Sequence, residues 1–245
     1  MSRNEGYVYV SDAEGGVLAQ ASAGARVSLP NREPPWIVVD HAVDTVIVAP
    51  WPGRLWRVRI VDADGVAQVS AHANYTRAVA VDVLEELPAS RLFGEHGDAV
   101  CSVLARAAQL DAIQANVLAR ARHPDAAAAY SRAWDRWLAA VDPSSIHRGD
   151  DLGATLDIQA GSRMSPINRG FIVIHRTVSD RAASLLGPSA FIVDEEGDQW
   201  LEPTWSAAAA ALTEAAMAFG APTLCSEGDR IILTTAWRVA TEGGD

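Results

Sequence analysis

From Asp98 to Arg122, apolar residues stand at Val100, Val103, Leu104, Ala107, Leu110, Ile113, Val117, Leu118 and Ala121. Steps of three and four place them on one face of a 3.6-residue helix, and a helix of that length runs roughly 37 Å. Phe93-Gly-Glu-His-Gly-Asp98 opens it. An amphipathic element this long needs a surface to cover, so it dictates much of what the rest of the chain must supply. A second helix starts at His123-Pro124-Asp125, with proline in the first turn and an acid beside the positive end of the dipole. Tyr130, Trp134, Trp137, Leu138 and Val141 form its apolar stripe, and Asp142-Pro143 ends it.

What precedes this helical pair reads as strands. Asp12-Ala-Glu-Gly15, Asp62-Ala-Asp-Gly65 and Asp194-Glu-Glu-Gly197 share one turn pattern, each between two β-rich runs. Asp at the first position bonds backbone N–H groups ahead of it, and Gly at the fourth supplies a positive φ. The pattern predicts hairpins over 7–21, 55–70 and 190–201. Calcium is the rival reading, but at Asp62-Ala-Asp64-Gly65 the glycine comes early and the distal glutamate is missing. Further strands are predicted over 36–40, 44–48, 55–60 and 75–84. About six strands in residues 1–88 predict a largely antiparallel sheet, curled into a half-barrel.

Residues 142–169 carry Gly149, Gly153, Gly161 and Pro166 and read as a long loop. Phe171 to Val178 fits both periods, and its β-branched content favours a strand. Ser179-Asp180 caps a short helix to Leu186, closed by Gly187-Pro188. Thr204 to Phe219 is a helix with Trp205, Ala208, Leu212, Ala216 and Phe219 as its stripe, its alanines suited to close packing on a sheet. Arg230 to Val239 reads as the last strand. The fold class is therefore α+β: a largely antiparallel β-rich N-terminal half, a central helical pair and a C-terminal β-hairpin–helix–strand unit. Its regions are 1–88, 89–147 and 148–245, and one composite domain accommodates all three.

Composition narrows the chemistry. All 20 basic residues are arginine, which removes Schiff-base and P-loop lysines, and with the alanine-rich helices matches the coding bias of a GC-rich bacterial genome. A net charge of −11 repels nucleic-acid backbones and suits a basic partner. Two cysteines form neither a disulfide framework nor a cysteine zinc site. No signal-peptide pattern opens the sequence and no run approaches the roughly 20 apolar residues of a membrane span, so the cytoplasm is the expected compartment. Arg148-Gly-Asp150 spells an integrin-binding tripeptide, a coincidence in such a chain.

Among candidate sites, Arg57, Arg59 and Arg77 are the one concentrated basic feature, suited to clamp a carboxylate or phosphate with Tyr75 donating a further bond. Cross-strand ion pairing is the plainer reading. His96, between Glu95 and Asp98 at a helix start, is the candidate proton carrier. A metal there needs further ligands such as Asp40, His41 or His175, and no metal is assigned. His41 beside Asp40 and the thiol of Cys225 are weaker candidates. Gly-x-Ser-x-Gly, Gly-x-Gly-x-x-Gly, His-Glu-x-x-His and Cys-x-x-Cys are all absent.

Two functions follow as expectations. The first is a non-catalytic interaction protein, an immunity- or antitoxin-like inhibitor of a basic partner, motivated by the acidity, the eight tryptophans and the missing catalytic motifs. The second is an enzyme acting on a small anionic substrate, with the arginines as clamp and His96 moving a proton. Whether the chain is an enzyme, and which cofactor it would use, the sequence leaves open.

Overall fold

The computed structural model describes residues 4–13, 15–30, 33–48, 50–61, 70–71, 74–140 and 166–242. They fall into two compact units, one ending at Leu92 and one built from Phe93 to Ala140 and from Pro166 onward. The class is α+β, with an antiparallel sheet in the N-terminal half. Among the described residues, no helix is long and apolar enough to cross a membrane.

The first unit holds β1 (Glu5–Ser11), β2 (Arg26–Ser28), β3 (Ile37–Asp40), β4 (Gly53–Ile60), β5 (Ser70–Ala71), β6 (Tyr75–Ala78) and β7 (Ala80–Leu87). They form one antiparallel sheet in the order β2-β7-β4-β1-β3-β6-β5. The predicted strand over 75–84 is thus two strands, divided at the buried Val79. β6 pairs with β3, whereas β7 pairs with β2 and β4. Four strand spacings separate β6 from β7, about 19 Å if the sheet were flat, while one intervening residue spans at most about 7 Å. The sheet must therefore roll up. Inside it Val8, Ile37, Val39, Trp56, Val58, Val81 and Val83 form the core.

β1 crosses β3 at Tyr7 opposite Asp40, and the crossing is tight: a Cβ on Gly6 would lie 2.3 Å from the Asp40 carbonyl oxygen. Two predicted hairpins change here. β1 pairs with β3 and β4, and among the described residues of 13–21 no strand returns from Asp12. The turn Asp62–Gly65 lies outside the described residues, and β5 pairs with β6 rather than with β4. Residues 44–48 are not a strand, since Val43–Thr45 form a 3₁₀ turn that the Thr45 hydroxyl closes onto the Ala42 carbonyl at 2.9 Å.

The second unit holds six described helices, α1 (Gly97–Ala108), α2 (Ala112–Ala121), α3 (Ala126–Ala140), α4 (Pro166–Leu186), α5 (Pro203–Gly220) and α6 (Glu227–Glu242). Strands β8 (Phe191–Val193) and β9 (Gln199–Leu201) form a separate two-stranded sheet. α5 is the centre, buried on every face from Ala208 to Ala218 apart from Ala210, and it packs against helices rather than the predicted sheet. Its run of alanines has no polar side, as a helix surrounded by helices requires.

The predicted helix over 98–122 breaks. Asp111 is extended, its carboxylate accepts the Gln114 amide at 2.7 Å, and the Gln114 side chain accepts the Asp111 amide at 3.3 Å. This capping box restarts the helix and rotates its phase, so Ala115 and Leu118 face inward while Ile113 is 75% exposed. Arg181 of α4 donates Nε to the Leu110 carbonyl at the break, at 2.8 Å.

Two predicted strands are helices. Residues 171–178 lie within α4, where Val173, Ile174, Val178 and Ala182 face inward at helical spacing. Residues 230–239 lie within α6, where Thr234 and Thr235 return their hydroxyls to the carbonyls of Arg230 and Ile231, both at 2.8 Å. Of the predicted loop 142–169, residues 142–165 lie outside the described residues, as does Arg148-Gly-Asp150; Pro166 begins α4.

Candidate functional site

Four arginines of the rolled sheet are committed to carboxylates. Arg59 reaches Glu5 Oε1 from Nη2 at 2.7 Å and from Nε at 3.1 Å. Arg57 ion-pairs with Glu85 at 2.7 Å and with Glu5 at 3.6 Å. Arg26 pairs with Asp82 at 2.7 Å and Arg54 with Glu86 at 2.6 Å. Four arginines thus meet four carboxylates, and an anion at Arg57 and Arg59 would compete with Glu5 and Glu85. Arg77 lies on β6, which is not a neighbour of β4, with its guanidinium 5.2 Å from the Trp36 ring centre and 5.9 Å from that of the buried Tyr75. The structure therefore groups Arg57 with Arg59, and Arg77 with Tyr75.

His96 belongs to the helical unit, exposed at the N-cap of α1 and making no capping bond with its side chain. Among the described residues no group of three His, Cys, Asp or Glu side chains is arranged to hold a metal. His41 Nε2 lies 2.9 Å from the Thr76 hydroxyl. His175 lies on α4 with its ring 4.3 Å from that of Phe171, and burial lowers its pKa. Burial pushes both thiols up, Cys101 to about 11, which is the opposite of nucleophile activation.

The buried carboxylates serve architecture. Glu214 of α5 accepts Nε and Nη2 of Arg122, at 2.8 and 2.5 Å, and burial still raises its pKa. Asp229 accepts Arg132 at 2.5 Å and Arg136 at 3.0 Å, fastening α6 to α3. The Arg132 hydrogen bond foremost holds its carboxyl well below the usual range. Such pairs shift pKa values without catalysis.

The β8–β9 hairpin is different. It rises between α4 and α5 and is closed at its base by the Glu202 amide on the Ala190 carbonyl, at 2.8 Å. The third predicted turn is here in full. Gly197 has φ +89°, its amide bonds the Asp194 carbonyl at 3.1 Å, and Asp194 Oδ1 accepts the amides of Glu196 and Asp198 at 3.0 and 2.9 Å. Asp194 Oδ2 accepts the Trp200 indole N–H at 2.6 Å. That indole bond, with the backbone amides, holds the Asp194 carboxyl below its ordinary range, so it is ionised at neutral pH.

Every residue from Ile192 to Trp200 is exposed. Four of them, Asp194, Glu195, Glu196 and Asp198, are acidic, and none is basic. Beside these charges stand Ile192 at 50%, Val193 at 59% and Trp200 at 60% exposure. With Leu185 and Leu186 at the end of α4, five of the thirteen exposed large hydrophobic residues among the described residues lie within one short segment. Apolar side chains left in water beside fixed charges make this hairpin the candidate site. The sequence announced the turn; the exposure is a tertiary fact.

The first unit carries a cleft of about 670 Å³ between Val8–Ser11 of β1 and Trp36–Val38, with Leu29 and Pro34 on its wall. Among the described residues that line it, Glu33 is the one charged group and most of the others are apolar. Comparison with protein-family models, with curated proteins and with solved structures finds no match to this chain.

Proposed function

We propose that this protein is a non-catalytic interaction protein that binds a basic protein partner, as an immunity protein or antitoxin inhibits its target, and that the β8–β9 hairpin is its docking element. One observation carries the reading: four carboxylates and three exposed apolar side chains share a hairpin held rigid by Asp194. Trp200 is the anchor, an amphipathic ring whose polar edge is already satisfied within the hairpin, leaving its apolar surface for a pocket on the partner. The carboxylates steer a basic surface toward it and fix the register. The net charge of −11 extends the same field beyond the hairpin.

The test is native mass spectrometry of wild-type protein and of a Glu195→Arg/Glu196→Arg variant, each purified gently from the parent cell. A stoichiometric basic protein on the wild type that leaves with added salt, and that the variant lacks, is the expected result. An acidic companion, or one retained equally by the variant, overturns the reading.

A further inference from the structure

The hairpin is a sheet of two strands, and its hydrogen-bond alternation shows which backbone groups it leaves over. Glu202 bonds Ala190 at the base, and Asp194 bonds Asp198 at the tip. Pairing alternates with period two between these points, so Ile192 and Trp200 face each other as the hydrogen-bonded pair. Both backbone groups of Val193 on β8 and of Gln199 and Leu201 on β9, and the C=O of Phe191, therefore point away from the hairpin, while the Phe191 N–H closes the preceding 3₁₀ turn onto the Pro188 carbonyl. Neither strand pairs with a third among the described residues. Sheet edges are ordinarily blunted by shortness, proline, a charged side chain or a bulge; β8 is short, at three residues, but carries no proline, charge or bulge. It reads Phe-Ile-Val, a run suited to being an inner strand. Two strands alone are marginal in water, so a third would complete the sheet.

Resting on the docking reading above, we infer that the hairpin binds its partner by strand addition: an extended basic segment pairs with the N–H and C=O of Val193 and the C=O of Phe191. Charge selects the occupant. A second copy of this chain would set −11 against −11 and lay one acidic tip along another hairpin, whereas an extended segment with alternating arginine or lysine would meet the four carboxylates. The partner's apolar side chains, projecting between its basic ones, would lie beside Ile192 and Trp200.

The probe is a labelled Arg-Val-Arg-Val-Arg-Val peptide, with Glu-Val-Glu-Val-Glu-Val as control, followed by fluorescence anisotropy and amide hydrogen exchange. The basic peptide is expected to bind the wild type, and the acidic one not. The Val193 amide should slow in exchange on binding. Val193→Pro removes an outward N–H that the hairpin itself does not use, and should weaken binding about tenfold. Gln199→Pro, on the other edge, should leave binding unchanged, and the Trp200 emission of both variants checks that the hairpin persists. Binding that Glu195→Arg/Glu196→Arg abolishes, but that neither slows the Val193 amide nor responds to Val193→Pro, overturns strand addition while the docking reading stands. A basic peptide that binds no better than the acidic one, with the native basic companion also retained by Glu195→Arg/Glu196→Arg, removes both. Dimerisation of the free protein that Val193→Pro abolishes would make a second copy the occupant and overturn the charge argument.

Discussion

Trp200 and Asp194 fasten the hairpin from opposite sides of its turn: the indole Nε1 donates to Asp194 Oδ2 at 2.6 Å, while the other carboxylate oxygen receives two backbone amides. One side chain thus orders both the backbone of the turn and the aromatic ring beside it.

Asp194→Ala should release that order. Amide exchange from Phe191 to Leu201 is expected to speed up, and the Trp200 emission to shift toward that of free indole in water. The unfolding midpoint of the helical unit should stay near the wild-type value, because the affected residues are exposed. Trp200→Ala should keep the helical fold and cost partner binding about 2 kcal/mol or more, as central aromatic anchors do. Titration calorimetry of the purified complex measures it.

Gly6→Ala should damage the barrel. The added carbon would sit 2.3 Å from a backbone oxygen and 2.6 Å from Val39 Cγ1, and backbone cannot step aside as a long side chain can. A loss of about 1–3 kcal/mol is expected in urea unfolding.

Asp229 and Glu214 should leave opposite marks on the pH dependence of the helical unit. The folded pKa of Asp229 is depressed below its ordinary 3.8, so its stabilisation is complete above that value and disappears as the pH falls below it. The folded pKa of Glu214 is raised above 4.5, so its ionisation opposes folding at higher pH, and that penalty vanishes as the pH falls to 4.5 and below. The cost of Asp229→Asn should therefore shrink on acidification, whereas wild type should gain relative to Glu214→Gln over the same range. Urea unfolding of both variants at a series of pH values checks the two signs.

Asp111→Ala removes the cap that starts α2 and should cost about 1 kcal/mol, read as a lower midpoint in thermal unfolding. The Leu110 carbonyl keeps Arg181, so the helices should stay in place.

Much of the barrel was legible because alternation and turn residues are local signals, and β3, β4 and the third hairpin lie where those signals put them. The corner at Val79 was not, since an uninterrupted β-branched run says nothing about which strands its two halves will meet. α4 and α6 were misread for one reason. Phe171-Ile-Val-Ile and Ile231-Ile-Leu-Thr-Thr carry strand propensity, and packing against α5 outweighed it. Ser226-Glu-Gly-Asp229 held the missed signal, a capping box in which the Ser226 hydroxyl accepts the Asp229 amide at 3.1 Å. Arg57 and Arg59 stood out because basic residues are few, but Glu5 lies more than fifty positions upstream, and only strand pairing reveals that it occupies them. The acidic hairpin showed its turn and hid its surface, because Ile192, Val193 and Trp200 look like core residues until the bundle forms without them.

Glu202 joins the base of the hairpin to the first turn of α5. Its amide bonds Ala190, and its carboxylate receives the amides of Thr204 and Trp205. No linker stands between the exposed element and the most deeply enclosed helix, so the hairpin has no swivel. A partner docked on it, as proposed, would be held at a fixed angle to the bundle, and a pull on that partner would be borne by the core itself.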